Sequence, residues 1–266
     1  MTCSSEFWDA LAPYHSLIEN SYLNVASLRR IMQHIQEPVL VAGAGQGLIV
    51  GELRRRGFQC EGVDLSSEMI KYAKLRRGLT LIHADARAMP FPERTYRTII
   101  YATGVVDFIG DEEQIKAILN EGRRILHDSG KIFVAFYRLS AAMEDFLKRV
   151  GLLSGHVLAH RRSLQTYLLS PAQMMAWVRK SAGVGYVRAF ALLLRVSALS
   201  RIQEKTMSLR MRTILRKMED PNSWINAAPN HQPYRNEAEI RNLFVRLAIP
   251  LKQFYVSPSC FIVHIQ

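Results

Sequence analysis

The chain has 266 residues, of which 48% are apolar and 22% charged, and 35 Lys and Arg against 23 Asp and Glu give it a formal net charge of +12. This composition is ordinary for a globular protein and excludes a disordered or collagen-like chain, and the length accommodates one elaborated α/β domain or two small domains. The charge excess leaves a nucleic acid, an anionic membrane, an acidic substrate or solubility alone as explanations.

The first 137 residues are predicted to alternate between strands and helices. After a helical N-terminal segment, the predicted strands are Pro38–Ala42, Cys60–Asp64, Leu79–Ile82, Thr98–Ala102 and Lys131–Tyr137. Helical patterns at residues 48–56, after the serine pair Ser66-Ser67, one of which can cap a helix, and at residues 111–127 separate them, and residues 128–130 predict a turn. Strands separated by helices imply right-handed crossovers, so the predicted fold class is α/β with a doubly wound parallel sheet.

The alternation stops after residue 137. Residues 138–218 predict helices without a good strand, and prolines and asparagines between residues 221 and 233 predict an irregular return. Residues 236–248 then predict a closing helix, and residues 251–256 and 260–266 predict a two-stranded hairpin. We therefore predict one domain from residues 1–137 and 236–266, interrupted by a helical insertion at residues 138–235.

A glycine-rich loop with Gly43, Gly45 and Gly47 joins the first predicted strand to a helix. Glycines there let the backbone approach a ligand closely, and the start of the helix offers N–H groups. Asp64 lies 17 residues beyond Gly47, at the predicted end of the next strand, where a carboxylate can accept both hydroxyls of a ribose. The pair indicates a nucleoside-containing ligand. The spacing is not that of a dinucleotide site, because Leu48 stands where the third glycine of that motif would fall.

With the glycine spacing G-x-G-x-G, the chain resembles the class I S-adenosylmethionine-dependent methyltransferases over residues 6–137 and 236–266. Further matching segments are Gly62–Met69, His83–Ala86, Met89–Phe91 and Ile125–Gly130. The opening residues 7–14 are similar to those of ubiquinone and menaquinone biosynthesis methyltransferases. The resemblance implies a Rossmann-like, seven-stranded sheet with an antiparallel last strand, S-adenosylmethionine as cofactor, and methyl transfer to a small molecule.

The resemblance also implies which residues bind the cofactor. They are Tyr14, Gly43, Ala44, Gly45, Gly47, Asp64, Leu65, Met69, Asp85, Ala86 and Thr103. In these roles Asp64 would accept the ribose hydroxyls, Asp85 would accept the adenine amino group, and the glycine loop would face the methionine and ribose portions. Thr103 would line the substrate entrance. Tyr14 would close over the cofactor or, alternatively, pack on the helix surface.

Two residues depart from the family pattern. The family commonly begins its glycine motif with Glu or Asp, but this chain has Ala42, so the carboxylate that anchors the cofactor's amino group is lost or replaced. Arg97 follows Tyr96 where the family usually has an acid. These departures leave a non-catalytic, cofactor-binding protein on the same scaffold as an alternative.

Two residues are candidates for a general base, which methyl transfer needs only when the acceptor is a poor nucleophile. Asp107 lies just beyond the fourth predicted strand, and the alternative is an exposed acid flanking the helix from residue 111. His15 is the second candidate, with a structural or solvated role as the alternative. No group of His, Cys, Asp and Glu has metal-ligand spacing, so no metal is predicted.

The charge excess is confined to the insertion. Residues 138–218 contain 15 Lys and Arg and three acids, a net of +12, and the rest of the chain is neutral. On a helical wheel, two opposite faces consist of Arg201, Lys205, Arg212 and Arg216, and of Met207, Met211, Ile214 and Met218. The insertion is predicted to be a substrate lid, either for an anionic or lipid-like acceptor, with peripheral membrane contact, or for RNA. A surface helix that packs its methionine face is the plain alternative.

RNA and nucleic-acid chemistry are disfavoured. The aromatic residues of the insertion are not interleaved with its basic residues, so base stacking has little support. After the fourth strand, residues 102–106 read Ala-Thr-Gly-Val-Val, not the Asp/Asn-Pro-Pro-aromatic motif that the resembled fold often uses for methylating base amino groups.

The cysteines and the N-terminus predict a cytoplasmic protein. Cys3, Cys60 and Cys260 are few and far apart, so neither a disulfide framework nor a Cys-rich zinc site is expected. The first residues have no secretory pattern, and Arg188 and Arg195 interrupt the most apolar stretch, which argues against a membrane-spanning helix.

Overall fold

The structure, a computed structural model, describes residues 5–19, 23–107, 109, 111–138, 148–149, 153–154, 157–158, 169–199, 202–227, 232–233, 236–257 and 260–265. The described part of the chain forms two compact units, one within residues 2–138 and 235–266 and the other within residues 139–234. We call the first the sheet unit and the second the insertion.

The strands and helices follow in chain order. The strands are β1 (Val39–Ala42), β2 (Cys60–Asp64), β3 (Ile82–His83), β4 (Tyr96–Tyr101), β5 (Leu126–Tyr137), β6 (Leu153–Ser154), β7 (Val157–Leu158), β8 (Gln232–Pro233), β9 (Leu251–Val256) and β10 (Cys260–Ile265). The helices are α1 (Ser5–Leu11), α2 (Val25–Leu28), α3 (Leu48–Arg55), α4 (Ser67–Arg77), α5 (Glu112–Ile125), α6 (Pro171–Ala182), α7 (Tyr186–Leu199), α8 (Ile202–Lys217), α9 (Pro221–Ala227) and α10 (Glu237–Arg246), with 3-10 helices at Ala12–Leu17 and Met32–His34.

The sheet unit contains a seven-stranded sheet in the order β3-β2-β1-β4-β5-β10-β9. Strands β1 to β5 pair in parallel, and β10 is antiparallel to both β5 and β9. This confirms the predicted Rossmann-like α/β sheet with its antiparallel last strand. Strand order reverses at β1, which has β2 on one side and β4 on the other, and ligands of such sheets bind beyond the strand ends at this reversal.

Alternate residues of the central strands serve two apolar cores. In β1, Leu40 belongs to a core with Ile118 of α5 and Phe244 of α10. Its neighbour Val41 belongs to a second core with Leu53 of α3. Because strand side chains alternate between faces, a strand covered on both sides is apolar throughout, and all four residues of β1 are buried.

Helix boundaries follow the capping residues. Of the two serines that could cap α4, Ser66 does so by accepting the Met69 N–H at 3.0 Å, and Gly78, whose φ is +64°, follows the last residue of the helix. Asp111 caps α5 by accepting the Glu113 N–H at 2.9 Å. A side-chain acceptor at this position satisfies an N–H group that the helix itself leaves without a partner.

Three local predictions were wrong. The turn predicted at residues 128–130 lies inside β5, where Tyr96 pairs with Leu126 and Thr98 with Lys131, so residues 127–130 form a bulge. The insertion has strands after all, since β7 pairs with both β6 and β8. The predicted irregular return begins with helix α9 instead, because proline is accepted in the first helical turn. Two-residue strands have no readable alternation, and their pairing is set by contacts distant in sequence.

The described part of helix α8 shows the predicted division of its faces only in part. Met211 and Ile214 are buried and Arg216 is exposed, but Arg212 and, just beyond the helix, Met218 are both half-buried. The predicted face residues between positions 201 and 209 lie outside the described side chains. Among the described residues, no helix combines the length and apolar character needed to cross a bilayer.

Replacing Gly122 with alanine should destabilise the sheet unit, because an added Cβ would lie 2.3 Å from the hydroxyl oxygen of Tyr101. That hydroxyl donates to the Ile118 carbonyl at 2.8 Å. We expect Gly122→Ala to lower the free energy of unfolding by about 1–3 kcal/mol in urea denaturation. In a Tyr101→Phe background, which lacks the hydroxyl, the same substitution should cost less. Strictly additive effects would show that the two residues do not meet.

Candidate active site

A cleft opens at the carboxyl ends of β1, β2 and β4, at the reversal of strand order. This main cleft has a cavity volume of about 140 Å³, and its walls come from the glycine loop, from the loops after β2, β3 and β4, from α5 and from the N-terminal segment. A smaller cavity of about 50 Å³, the side pocket, lies against the same glycine loop and the start of α3. Trp8, His15, Gly43, Gly45 and Thr103 line both cavities.

Positive backbone angles shape the glycine loop. Gly43, Gly45 and Gly47 have φ of +70°, +53° and +82°, a region that favours glycine. At Gly43 an added Cβ would also lie 2.2 Å from Cγ2 of Val105. The loop therefore needs glycine at this position, both to follow its path and to bring bare backbone to the cleft.

Asp64, the last residue of β2, links the glycine loop to the residue before α4 by hydrogen bonds. Its Oδ2 accepts the Gly45 N–H at 2.7 Å and its Oδ1 accepts the Ser66 N–H at 2.9 Å. Burial raises the pKa of this carboxyl above its usual value, and the two N–H donors oppose that shift. Each carboxylate oxygen can accept more than one hydrogen bond, so Asp64 can still receive two hydroxyl groups from a ligand in the cleft.

The wall next to Asp64 is apolar and ends in an ion pair. Leu65, Met69 and Ala86 line this part of the main cleft, which suits a flat aromatic ring. At its edge, the Asp85 carboxylate accepts hydrogen bonds from Nε of Arg87 at 3.0 Å and from its Nη2 at 2.5 Å. The Arg87 guanidinium holds the pKa of Asp85 below its usual range. A ligand amino group at Asp85 would share this carboxylate with Arg87.

The cavities bring together most of the predicted cofactor residues. Those lining the main cleft are Gly43, Gly45, Asp64, Leu65, Met69, Asp85, Ala86 and Thr103, and Ala44 lines the side pocket. Two predicted residues, Tyr14 and Gly47, are not among the described residues that line either cavity. Gly47 instead precedes α3, where an added Cβ would lie 2.7 Å from Cδ1 of Leu79.

The two candidates for a general base differ in their placement. His15 lines both cavities. Asp107 is 1% exposed and accepts the N–H groups of Gly104 at 2.6 Å and Tyr137 at 3.0 Å. The alternative of an exposed acid flanking α5 is therefore wrong, because Asp107 is buried and Asp111 caps that helix. Asp107 fixes Gly104, which lines the main cleft.

Several lining residues were not predicted from the sequence. Trp8, which lies in the same opening segment as Tyr14, lines both cavities, and the sequence analysis did not single it out. Gln114, on α5, lines the main cleft, and its buried Oε1 accepts no hydrogen bond from the described residues. Glu19 lines the side pocket, and no local motif distinguishes it. Groups of three or more potential metal ligands are absent from the described residues.

Arginines at the end of α4 fasten the N-terminal segment to the glycine loop. Arg76 donates from Nη1 to Oε1 of Gln46 at 2.9 Å and from Nη2 to the Pro13 carbonyl at 2.8 Å. Arg77 donates from Nη1 to the Gln46 carbonyl at 3.0 Å and from Nη2 to Oε1 of Glu19 at 2.7 Å. These charge-assisted bonds fix residues 13–19 beside both cavities.

The stability of the folded chain should fall in acid because of His15. Burial, reinforced by the charges of Arg77 and Arg76, lowers its pKa from 6.5 to about 4. Between these values the unfolded chain binds the proton and the folded chain does not, so stability is full above pH 6.5 and is lost as the pH falls towards 4. From about pH 7 to about pH 4.5, the free energy of unfolding of the wild type should fall by about 2 kcal/mol more than that of His15→Gln.

His264, whose pKa burial also lowers to about 4, is present in both proteins, so its contribution cancels in that comparison. Parallel pH profiles for wild type and variant would contradict the assignment of a neutral His15.

Known proteins that are similar to this chain include methyltransferases. A family model described as a methyltransferase domain matches residues 40–134. An uncharacterized protein of Methanocaldococcus jannaschii is 29% identical over 130 residues, 48% of this chain and 49% of that protein, so the chain spans about half the length of that curated relative. A ubiquinone biosynthesis O-methyltransferase of Xanthomonas oryzae pv. oryzae is 22% identical over 191 residues, 67% of this chain and 75% of that protein.

The fold is also found among solved structures. A SAM-dependent methyltransferase from Methanosarcina mazei covers 92% of this chain with a TM-score of 0.54 and 14% identity, over 98% of its own length; at this identity the likeness concerns the fold alone. The matched domain at residues 40–134 contains the glycine loop, Asp64, Asp85 and Thr103. Residues 40–134 thus match a methyltransferase domain, and the sheet has the fold of a solved SAM-dependent methyltransferase.

Proposed function

We propose that the protein transfers a methyl group from S-adenosylmethionine to a small acceptor that is hydrophobic and carries an anionic or lipid-like group. The observation that carries the cofactor half is the position of the Asp64 carboxylate, buried at the floor of the main cleft and tied to the glycine loop. The proposed nature of the acceptor rests on the lining of the cleft, on the charge of the insertion and on the similarity to the Xanthomonas oryzae pv. oryzae protein.

The residues of the main cleft fit the nucleoside part of this cofactor. Asp64 retains acceptor capacity for two ribose hydroxyls, and Leu65 and Met69 offer an apolar surface for the adenine ring. Gly43 and Gly45 leave room for the chain that continues beyond the ribose. The cofactor supplies a methyl group on a positively charged sulfur, from which an aligned nucleophile can displace it. The enzyme's share is to align the two and exclude water.

Proton transfer has a small part in this proposal. Asp107 binds two backbone N–H groups and does not line the cavities, so it acts as a positioning residue for Gly104. His15 lines the main cleft, but its pKa of about 4 makes it a weak base at neutral pH. An acceptor that is already anionic needs no strong base, and this arrangement favours such an acceptor.

Apolar side chains line the part of the main cleft away from Asp64, among them Val105, Ile109 and Ile118. They support a hydrophobic acceptor. The relative from Xanthomonas oryzae pv. oryzae is named a ubiquinone biosynthesis O-methyltransferase, an activity on a hydrophobic molecule that agrees with this lining.

Within the insertion, helix α7 presents an apolar and basic surface. Tyr186, Val187 and Phe190 are 64%, 83% and 52% exposed. The guanidinium of Arg179 lies 4.1 Å from the ring centroid of Tyr186. Exposed aromatic and aliphatic groups next to arginine suit an amphipathic, anionic molecule or a lipid surface. Peripheral membrane contact through this surface and a cytoplasmic location belong to the proposal.

If the cleft binds the cofactor as proposed, its affinity for S-adenosylhomocysteine should depend strongly on Asp64. In calorimetric titration, S-adenosylhomocysteine should bind the wild type, and Asp64→Ala should weaken that binding by about 1–3 kcal/mol because ligand hydroxyls lose their charged acceptor. Asp128→Ala is the control, since Asp128 has a 71% exposed side chain and pairs with Arg94. If the wild type does not bind S-adenosylhomocysteine, or if Asp64→Ala binds it equally well while folded, the assignment of the cofactor site fails.

The proposed acceptor class predicts that the enzyme prefers anionic acceptors and that this preference weakens as salt rises. With labelled S-adenosylmethionine, we expect methylation of hydrophobic carboxylates or phenolates, with kcat/KM falling as salt rises, and no such salt effect for neutral analogues. Methylation of RNA alone, with steep loss of RNA affinity in salt, would support the RNA methyltransferase instead. Retained cofactor binding without turnover of any acceptor would support the non-catalytic alternative.

A further inference from the structure

The side pocket contains a buried carboxylate with one unused oxygen. The side chain of Glu19 is 11% exposed, and its Oε1 is paired with Arg77. Its Oε2 is buried and accepts no hydrogen bond from any described residue. Buried carboxylate oxygens normally have donors, so this oxygen points to a donor that comes from outside the chain.

The donor must be able to reach the side pocket from the main cleft. The two cavities share Gly43, Gly45 and Thr103. A nucleoside whose ribose binds Asp64 therefore extends its substituent over the glycine loop and into the side pocket. For the proposed cofactor this substituent is the methionyl chain, which carries an α-ammonium group at its end and a sulfonium nearer the ribose.

The position of the acceptor side separates these two cations. Val105, Ile109 and Gln114 line the main cleft only, whereas Glu19, Gln46 and Leu48 line the side pocket only. The sulfonium must face the acceptor in the main cleft, because its methyl group is transferred there. The ammonium nitrogen, four bonds further along the chain, is the cation that remains for the side pocket.

The glycine loop explains why a carboxylate from elsewhere is needed. Ala42, the residue before Gly43, is fully buried at the end of β1 and has no group to bind an ammonium. Glu19 lines the side pocket and is held in place because Arg77 bridges its Oε1 and the Gln46 carbonyl. We propose that Glu19, from the N-terminal segment, binds the cofactor's α-ammonium group in place of the acid that the glycine motif lacks. This assignment rests on the proposed function.

The test compares two ligands on two proteins by calorimetric titration. The ligands are S-adenosylhomocysteine and its analogue with hydrogen in place of the α-amino group. Glu19→Gln should weaken binding of S-adenosylhomocysteine roughly 10- to 100-fold and leave binding of the analogue unchanged. The wild type should bind the analogue roughly 10- to 100-fold more weakly than S-adenosylhomocysteine, a comparison that needs no variant to fold.

Glu52→Gln is the matched control. The Glu52 side chain is 10% exposed and pairs with Arg55 and Arg56, as Glu19 pairs with Arg77, but it lines neither cavity. It should leave both affinities unchanged. Thermal unfolding of each variant establishes that it is folded before titration.

Each contrary outcome is informative. Equal affinity of the wild type for both ligands, or equal weakening of both ligands in Glu19→Gln, would overturn the role of Glu19. A wild type that binds neither ligand would overturn the proposed function, whereas binding of both with no effect of Glu19→Gln would overturn this assignment only.

Discussion

The hydrogen bonds that the Asp64 carboxylate accepts from Gly45 and Ser66 join the ends of the first two strands. They fix the glycine loop in backbone conformations that favour glycine and at the same time set the start of α4. The cost is a carboxylate buried with a raised pKa, which a ligand that donates two hydroxyls would offset. Structural cohesion and ligand recognition thus depend on the same side chain, and much of the cleft geometry follows from it.

A second constraint comes from the arginines that end α4. Arg76 and Arg77 bind Pro13, Glu19 and the Gln46 carbonyl, and the Leu23 N–H donates to Oγ1 of Thr103 at 3.0 Å. The N-terminal segment is therefore a wall of the site and not a separate arm. Burial, together with the charges of Arg77 and Arg76, lowers the pKa of His15 and keeps it neutral, so the arginines that position this wall also contribute to the protonation state of a group in it.

Local sequence patterns were sufficient for most of the sheet. The apolar run of β1 and the glycine spacing are determined by neighbouring residues, and together with the family resemblance they singled out Gly43, Asp64 and Asp85, which line the main cleft. Glu19 and Arg87 could not be found in this way, because their importance comes from partners that only the fold brings near. The short strands of the insertion were not predicted, for the same reason. The confinement of the charge excess to residues 138–218 was readable from composition, although its purpose was not.

A crystal structure of the chain with S-adenosylhomocysteine would test most directly whether Asp64 binds the ribose of the cofactor in the main cleft. We expect the ribose hydroxyls to lie within hydrogen-bond distance of Asp64, while the Gly45 N–H keeps its hydrogen bond to the same carboxylate. The adenine ring would then contact Leu65 and Met69, and the amino-acid end would enter the side pocket. A ligand bound elsewhere, or a ribose that makes no contact with Asp64, would contradict it.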